Sequence, residues 1–349
     1  MALVQAFKWQ RVALLAVPAW LGCGPTTKVN DPSASASGTA SAVATATKTT
    51  PSTTPIVFDV HEWGLLDVTS SSARLLAGPA ARTAHNAPVR KPVVYFHLAD
   101  GSAPGDVTLR VDVPATSKFM EAFPVGDSLD QKTLTWAGLH LRREACHVVG
   151  APTRDLPACK TPDGLCEAAD VATYEAADAS CVGFGNGSFN HLLYRANGAL
   201  PSLPFEVTAS GANIDITHAR ASDTLGSIVY VHNDGGVASA TILAVPAVGQ
   251  LVTAIPPKES DVSKAQAELD RVMHESGLTE AEVAAFDRAW ATDLLGGPAR
   301  ETPTRRAAVA PDDYLLFAMP VSLIEGVSTL SVTPPPRAVR RFMLVRLHV

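Results

Sequence analysis

From Ile56 to Val349 the chain is a succession of short β-patterned segments broken by one helical stretch, and this alternation restricts its fold more than any other feature. β-branched, aromatic or alternating residues predict strands over 56–63, 91–98, 106–113, 133–142, 191–196, 205–210, 213–219, 227–233, 240–248, 314–320, 329–334 and 341–349. In the third, Val107, Leu109, Val111 and Val113 fall on one face, with Thr108, Arg110 and Asp112 on the other. Twelve short strands separated by turns define a mainly β protein with antiparallel sheets in a sandwich or jelly-roll arrangement. The exception is an α-helical hairpin over 261–290. Its first helix carries Ala265, Leu269, Val272 and Met273 at helical spacing and stops at Gly277. Thr279 opens the second helix with Glu282 as its capping-box partner, and Val283, Phe286 and Trp290 line its apolar face. Such a hairpin is expected to pack on a sheet, with a mobile cover over a cleft as the alternative.

The first residues read as an address. Lys8 and Arg11 precede an apolar run from Val12 to Leu21, too short for a membrane helix of roughly 20 apolar residues. With Leu21-Gly22-Cys23 the segment resembles a bacterial lipoprotein signal: residues 1–22 are removed and Cys23 is lipidated. The alternative is an ordinary signal peptide with Cys23 as a bystander. Gly24 after the cysteine implies, by the same resemblance, sorting to the outer membrane. The Ser/Thr/Ala/Pro-rich stretch 23–55 offers too little apolar surface to offset the entropy of ordering, and reads as a disordered tether. Its span as a flexible coil is roughly 30 Å.

The remainder, 56–349, suffices for one large domain or two sheet subdomains. A net charge of −6 and no basic stripe argue against nucleic acid as a partner. The Arg305-Arg306 pair and the group Arg337, Arg340 and Arg341 read as solvated strand ends.

Setting Cys23 aside leaves Cys146, Cys159, Cys166 and Cys181, an even set in an exported chain, hence two disulfides in an oxidising compartment. Three pairings are open. Neighbour pairing, Cys146 with Cys159 and Cys166 with Cys181, closes the shortest loops and is the expected one. A four-thiolate zinc site would need closer pairs than the intervals of 13, 7 and 15 seen here. The Pro-, Asp- and Gly-rich composition of the Cys-rich segment 146–182 is that of a loop.

Several motifs together carry a resemblance. "VHEWGLL", "KPVVYFHL", "LRVDVP", "LTWAGLHL" and "LLYRANG", then "SGLTEAEVAAFDRAW", "YLLFAMP" and "LSVTPPPRAVRRFMLVRLH", are similar in order to a family of uncharacterised exported bacterial proteins that open on a His-Glu-Trp-Gly motif. The resemblance covers most of 58–349. It implies a shared fold and an envelope location, and no catalytic residue.

The chemistry-bearing residues are sparse. His61-Glu62 lacks the second His of a metalloprotease helix. On a strand the two point to opposite faces, whereas Asp59, His61 and Trp63 share one. The structural reading has Trp63 buried, Gly64 making a turn and His61 hydrogen-bonded. His97, His140, His191, His218 and His232 also fall on strands. A metal or catalytic site built from His61 and His97 on adjacent strands, with Glu62 as a further candidate, is the best enzymatic reading. Ser188 lacks the closing Gly of a nucleophile elbow. Gly183, Gly185 and Gly187 read as a flexible loop, not a dinucleotide fingerprint. Glu62, Asp112 and Glu206 are strand-borne carboxylates with no pairing signature. Trp63, Trp136 and Trp290 read as core. No cofactor is expected. The sequence thus points to a lipid-anchored envelope protein that acts as a non-enzymatic binding or scaffold module for a protein, glycan or small ligand. The alternative is an envelope hydrolase around His61.

Overall fold

β1 (Phe58–Val68) is buried along almost its whole length because both its faces are covered. In this computed structural model, residues 55–68, 86–144, 146, 171–199, 203–210, 213–219, 226–234, 237–258, 261–296 and 312–349 are described. Residues 1–54, with the expected signal, Cys23 and all but the last residue of the expected tether, lie outside them, as do Cys159, Cys166, Arg305 and Arg306.

The chain continues through β2 (Asn86–Leu98), β3 (Gly105–Asp112), β4 (Lys118–Phe123), β5 (Ser128–Leu129) and β6 (Thr133–Arg142). There follow β7 (Cys181–Phe184), β8 (Gly187–Phe189), β9 (Leu192–Ala199), β10 (Phe205–Ser210), β11 (Asn213–His218), β12 (Ile228–Asp234), β13 (Val237–Leu243) and β14 (Leu251–Ala254). The hairpin α1 (Val262–Glu275) and α2 (Glu280–Leu295) precedes β15 (Asp312–Ala318), the short α3 (Val321–Ile324), β16 (Thr329–Thr333) and β17 (Ala338–His348).

Three sheets result, of orders β13-β12-β15-β17-β1-β2-β9-β4, β10-β11-β14 and β16-β3-β6-β7-β8, the last with β5 paired to β6 as its sixth strand. Strand alternation decides what covers the large sheet. Trp63, Leu65, Val93, Val231, Leu316, Phe342 and Leu344 face the hairpin and meet Leu269, Met273, Val283, Phe286 and Trp290. On the other face, Phe58, Val60, Val94 and Tyr194 pack against Leu109, Trp136 and Leu141 of the six-stranded sheet. Leu66, Tyr230, Phe317 and Val345 pack against Val207, Ile214 and Ile216 of the three-stranded one. Each such buried side chain contributes about 1.5–3 kcal/mol, so the three clusters together hold helices and sheets as layers. The mainly β sandwich with a helical hairpin packed on a sheet is as expected. By its contacts, Thr53–Val349 forms one compact unit.

Five details differ from the sequence reading. β1 and β17 pair in parallel, Glu62 opposite Arg341 and Trp63 opposite Phe342, so the large sheet is mixed. Gly64 makes no turn. It lies within β1 at a register shift between Trp63 and Leu65, where a Cβ would sit 2.7 Å from Met343 Sδ and 3.2 Å from Pro92 Cα. The glycine is there for close approach. The glycine-rich segment forms the β7–β8 hairpin, with Gly185 at φ +56° in its tight turn. The hairpin's second helix runs on to Leu295 because Leu294 and Leu295 are buried as well.

The disulfide pairing differs too. Cys146 is bonded to Cys181, not to Cys159, and neighbour pairing is thereby overturned. Arg142 at the end of β6 pairs with Cys181 at the start of β7, so the chain leaves the sheet and re-enters it at adjacent points. The bridge closes the base of that excursion.

Candidate functional site

The chain's main polar convergence lies under the N-terminus of α2. His61 on β1 and His97 on β2 both point to the helix-covered face, with ring centroids 4.5 Å apart. Glu282 enters from above. As the third residue of α2 it belongs to the capping box: its backbone N–H donates to Thr279 Oγ1 at 3.2 Å, and Thr279 N–H donates to its Oε2 at 2.8 Å. The carboxylate also takes His61 Nδ1–H at 3.0 Å on Oε2 and His97 Nε2–H at 2.8 Å on Oε1. One ligand atom from each of the three lies within 4.8 Å of the others.

Glu282 was legible as a cap but not as a member of this group. The missed signal is its phase: Glu282, Phe286 and Trp290 recur at four-residue spacing, so the carboxylate shares the buried face of α2. It is wholly buried, and the His61 and His97 side chains are 10% and 17% exposed. His61 thus meets the hydrogen-bonded reading, and Trp63 is buried beside Phe286 with ring centroids 5.2 Å apart.

The electrostatics are those of a carboxylate between two imidazoles. Burial works to raise Glu282, but the hydrogen bonds and charges of His61 and His97 outweigh it and hold the carboxyl at about 2. Burial works to lower His97, but its bond to Glu282, and the charge and backbone of Asp178, raise it above the ordinary 6.5. The depressed Glu282 contributes stability that is present above its ordinary 4.5 and lost as pH falls through about 2. The raised His97 contributes stability that is full below 6.5 and lost as pH rises through its elevated value. The hairpin is therefore held hardest between the two. The protein is expected to melt at lower temperature as pH rises past the ordinary 6.5 and through the elevated value of His97. His97→Gln should flatten that slope, and an unchanged slope would remove His97 from the account.

The other candidates disperse. Glu62, on the opposite face of β1, is wholly buried and takes Arg341 Nε–H at 2.6 Å and Tyr194 O–H at 2.7 Å. Arg341 is therefore no solvated strand end: its guanidinium is 4% exposed and also reaches Glu325 and Ser328. Arg337, by contrast, is exposed and pairs with Asp59. Asp112 pairs with Arg110 on the surface, and Glu206 is exposed. His140 bonds exposed Asp106, and His232 bonds Asp313 at the rim of its strand. His218 Nδ1 donates to the Pro246 carbonyl. His191 is buried against Tyr95, Phe123 and Tyr174, and burial drives its imidazole down to about 3. Trp136 and Trp290 are core, as read.

A cleft of about 360 Å³ near α2 is lined by Cys146, Glu175, Asn190 and Arg288, among others. Its polar groups are engaged with the protein: the Asn190 amide bonds both backbone groups of Ala176, and Arg288 reaches the Glu175 carbonyl.

No family model and no curated protein matches the sequence. Among solved structures, the chain is similar to the Fcho1 Mu homology domain of Danio rerio with bound Eps15 peptide. The identity is 9% and the TM-score 0.30, over 84% of this chain and 97% of that one. It is also similar to the yeast delta-COP-I mu-homology domain complexed with a Dsl1 WxWxV peptide, at 10% identity and a TM-score of 0.26, over 84% and 95%. At such scores the backbones do not superpose closely enough to transfer a function.

Proposed function

We propose that this chain is an exported protein, anchored by lipid on Cys23, whose folded part is a non-enzymatic binding module for an extended segment of a partner protein. The observation that carries the reading is the edge of the three-stranded sheet. Among the described residues, β14 pairs with β11 on one side and ends the strand order on the other. Leu251 at its start and Ile255 just beyond its end are 60% and 65% exposed, and Val248 ahead of it is 48% exposed. An edge with unpaired backbone groups and apolar outward side chains is a template for strand addition, which proteins ordinarily blunt with charge. No charged side chain stands between Val248 and Ile255.

The burial of the His61, His97 and Glu282 group supports the non-enzymatic side of this reading, since a hydrolase needs room for its substrate at the catalytic groups. Their convergence is the observation that favours the second reading, an envelope hydrolase around His61.

A photo-crosslinking residue at position 251, in cells that make the full chain, tests the module. A discrete protein adduct, lost when Ile255→Lys is added, is expected; adducts to phospholipid alone, or none, would overturn the partner reading. Labelled fatty acid should enter the wild type and not Cys23→Ser, and equal labelling of both would remove the anchor.

A further inference from the structure

The geometry points to a metal site: we propose that His61 Nδ1, His97 Nε2 and a carboxylate oxygen of Glu282 bind one divalent transition-metal ion, zinc being the natural fit. The ion would act as a staple between α2 and strands β1 and β2. This inference does not rest on the binding-module reading.

Four observations carry it. The donor set is two imidazole nitrogens and one carboxylate oxygen, which suits zinc. The spacing is close: the nitrogens stand 2.8–3.1 Å from the Glu282 oxygens. Donors about 2.0–2.1 Å from a tetrahedral ion are ~3.3 Å apart, so each contact needs to open by only a few tenths of an ångström. Each ligand comes from a regular element, two neighbouring strands and a capped helix, and none from a loop.

The outer contacts form the last observation. Thr279 N–H fixes Glu282 Oε2, which leaves Oε1 turned toward His97. The Asp178 backbone hydrogen-bonds the His97 ring, and because Nε2 faces Glu282 that bond falls to Nδ1. A metal-bound imidazole typically donates its second N–H to a backbone carbonyl or carboxylate in this way, which fixes the ring and its tautomer. When the ion binds, the proton on each ligating nitrogen is lost to solvent from a charged ring or moves to the other nitrogen of a neutral one, so that each ring stays neutral and its freed lone pair goes to the metal. The burial of the group leaves room for an ion and not for a substrate.

The test uses the full, tag-free chain stripped with chelator and titrated with zinc alone. One equivalent is expected to bind, and its binding should raise the melting temperature. His97→Gln should weaken binding by more than about 100-fold, beyond the 10–100-fold typical of changes to outer contacts. His140→Gln, across the large sheet, should bind as the wild type does. Glu282→Gln removes a cap as well as a ligand, so if it fails to fold, cobalt decides on the wild type: a tetrahedral cobalt spectrum with nitrogen and oxygen donors is expected. A chain that binds less than one equivalent, a His97→Gln variant that binds as tightly as wild type, or an octahedral cobalt spectrum would overturn the proposal.

Discussion

Glu62→Gln is expected to destabilise the protein by about 3–5 kcal/mol, through the buried partner it leaves behind. Glu62 and Arg341 sit opposite each other in the parallel β1–β17 ladder and point into the space between the large sheet and its neighbours. The carboxylate takes the guanidinium on Oε2 and the Tyr194 hydroxyl on Oε1, and Ser328 closes the group. Gln keeps the shape and one acceptor but removes the charge that offsets the buried cation. Glu325, 53% exposed, is screened by water and replaces it poorly. In denaturant the midpoint should fall with little change in slope. Pairing the change with Arg341→Met should recover much of the loss, since the buried cation left without a counter-charge is then gone. A single-variant cost below about 1 kcal/mol would mean the guanidinium has other support.

Removing the bridge between Cys146 and Cys181 should cost about 3–4 kcal/mol. The bridge spans a sequence separation of 35. The double variant Cys146→Ser/Cys181→Ser tests it, because a single change would leave a thiol free to exchange with Cys159 or Cys166. Thermal melts of the two oxidised proteins should differ clearly. Coincident melts would contradict the pairing.

The fold was legible where one face alone is buried. β3 and β11 alternate cleanly in burial as in sequence. β4 was missed because its alternation breaks: Phe119 and Glu121 flank a register shift against β9, and Glu121, Ala122 and Phe123 are buried in succession. β7, β8 and β14 are too short to show a period. The site was half legible. His61 and His97 could be placed on one pair of strands from their β patterns. Glu282, whose bond to His61 spans 221 positions, needed the packing of α2 to bring it there. Arg341 was misread because nothing local distinguishes it from Arg340. Only the register against Glu62 turns one inward and leaves the other exposed.

That register has a consequence for how the chain is made. β1 lies in the middle of the large sheet, and one of its two neighbours, β17, is 279 positions further along at the Glu62–Arg341 contact. Until that strand emerges, β1 has a bare edge and cannot be sealed. Pairings so distant in sequence form slowly and leave β-prone surface exposed meanwhile. The large sheet can therefore close only once β17 has been synthesised. Until then the unsealed strand needs protection against pairing with a stranger.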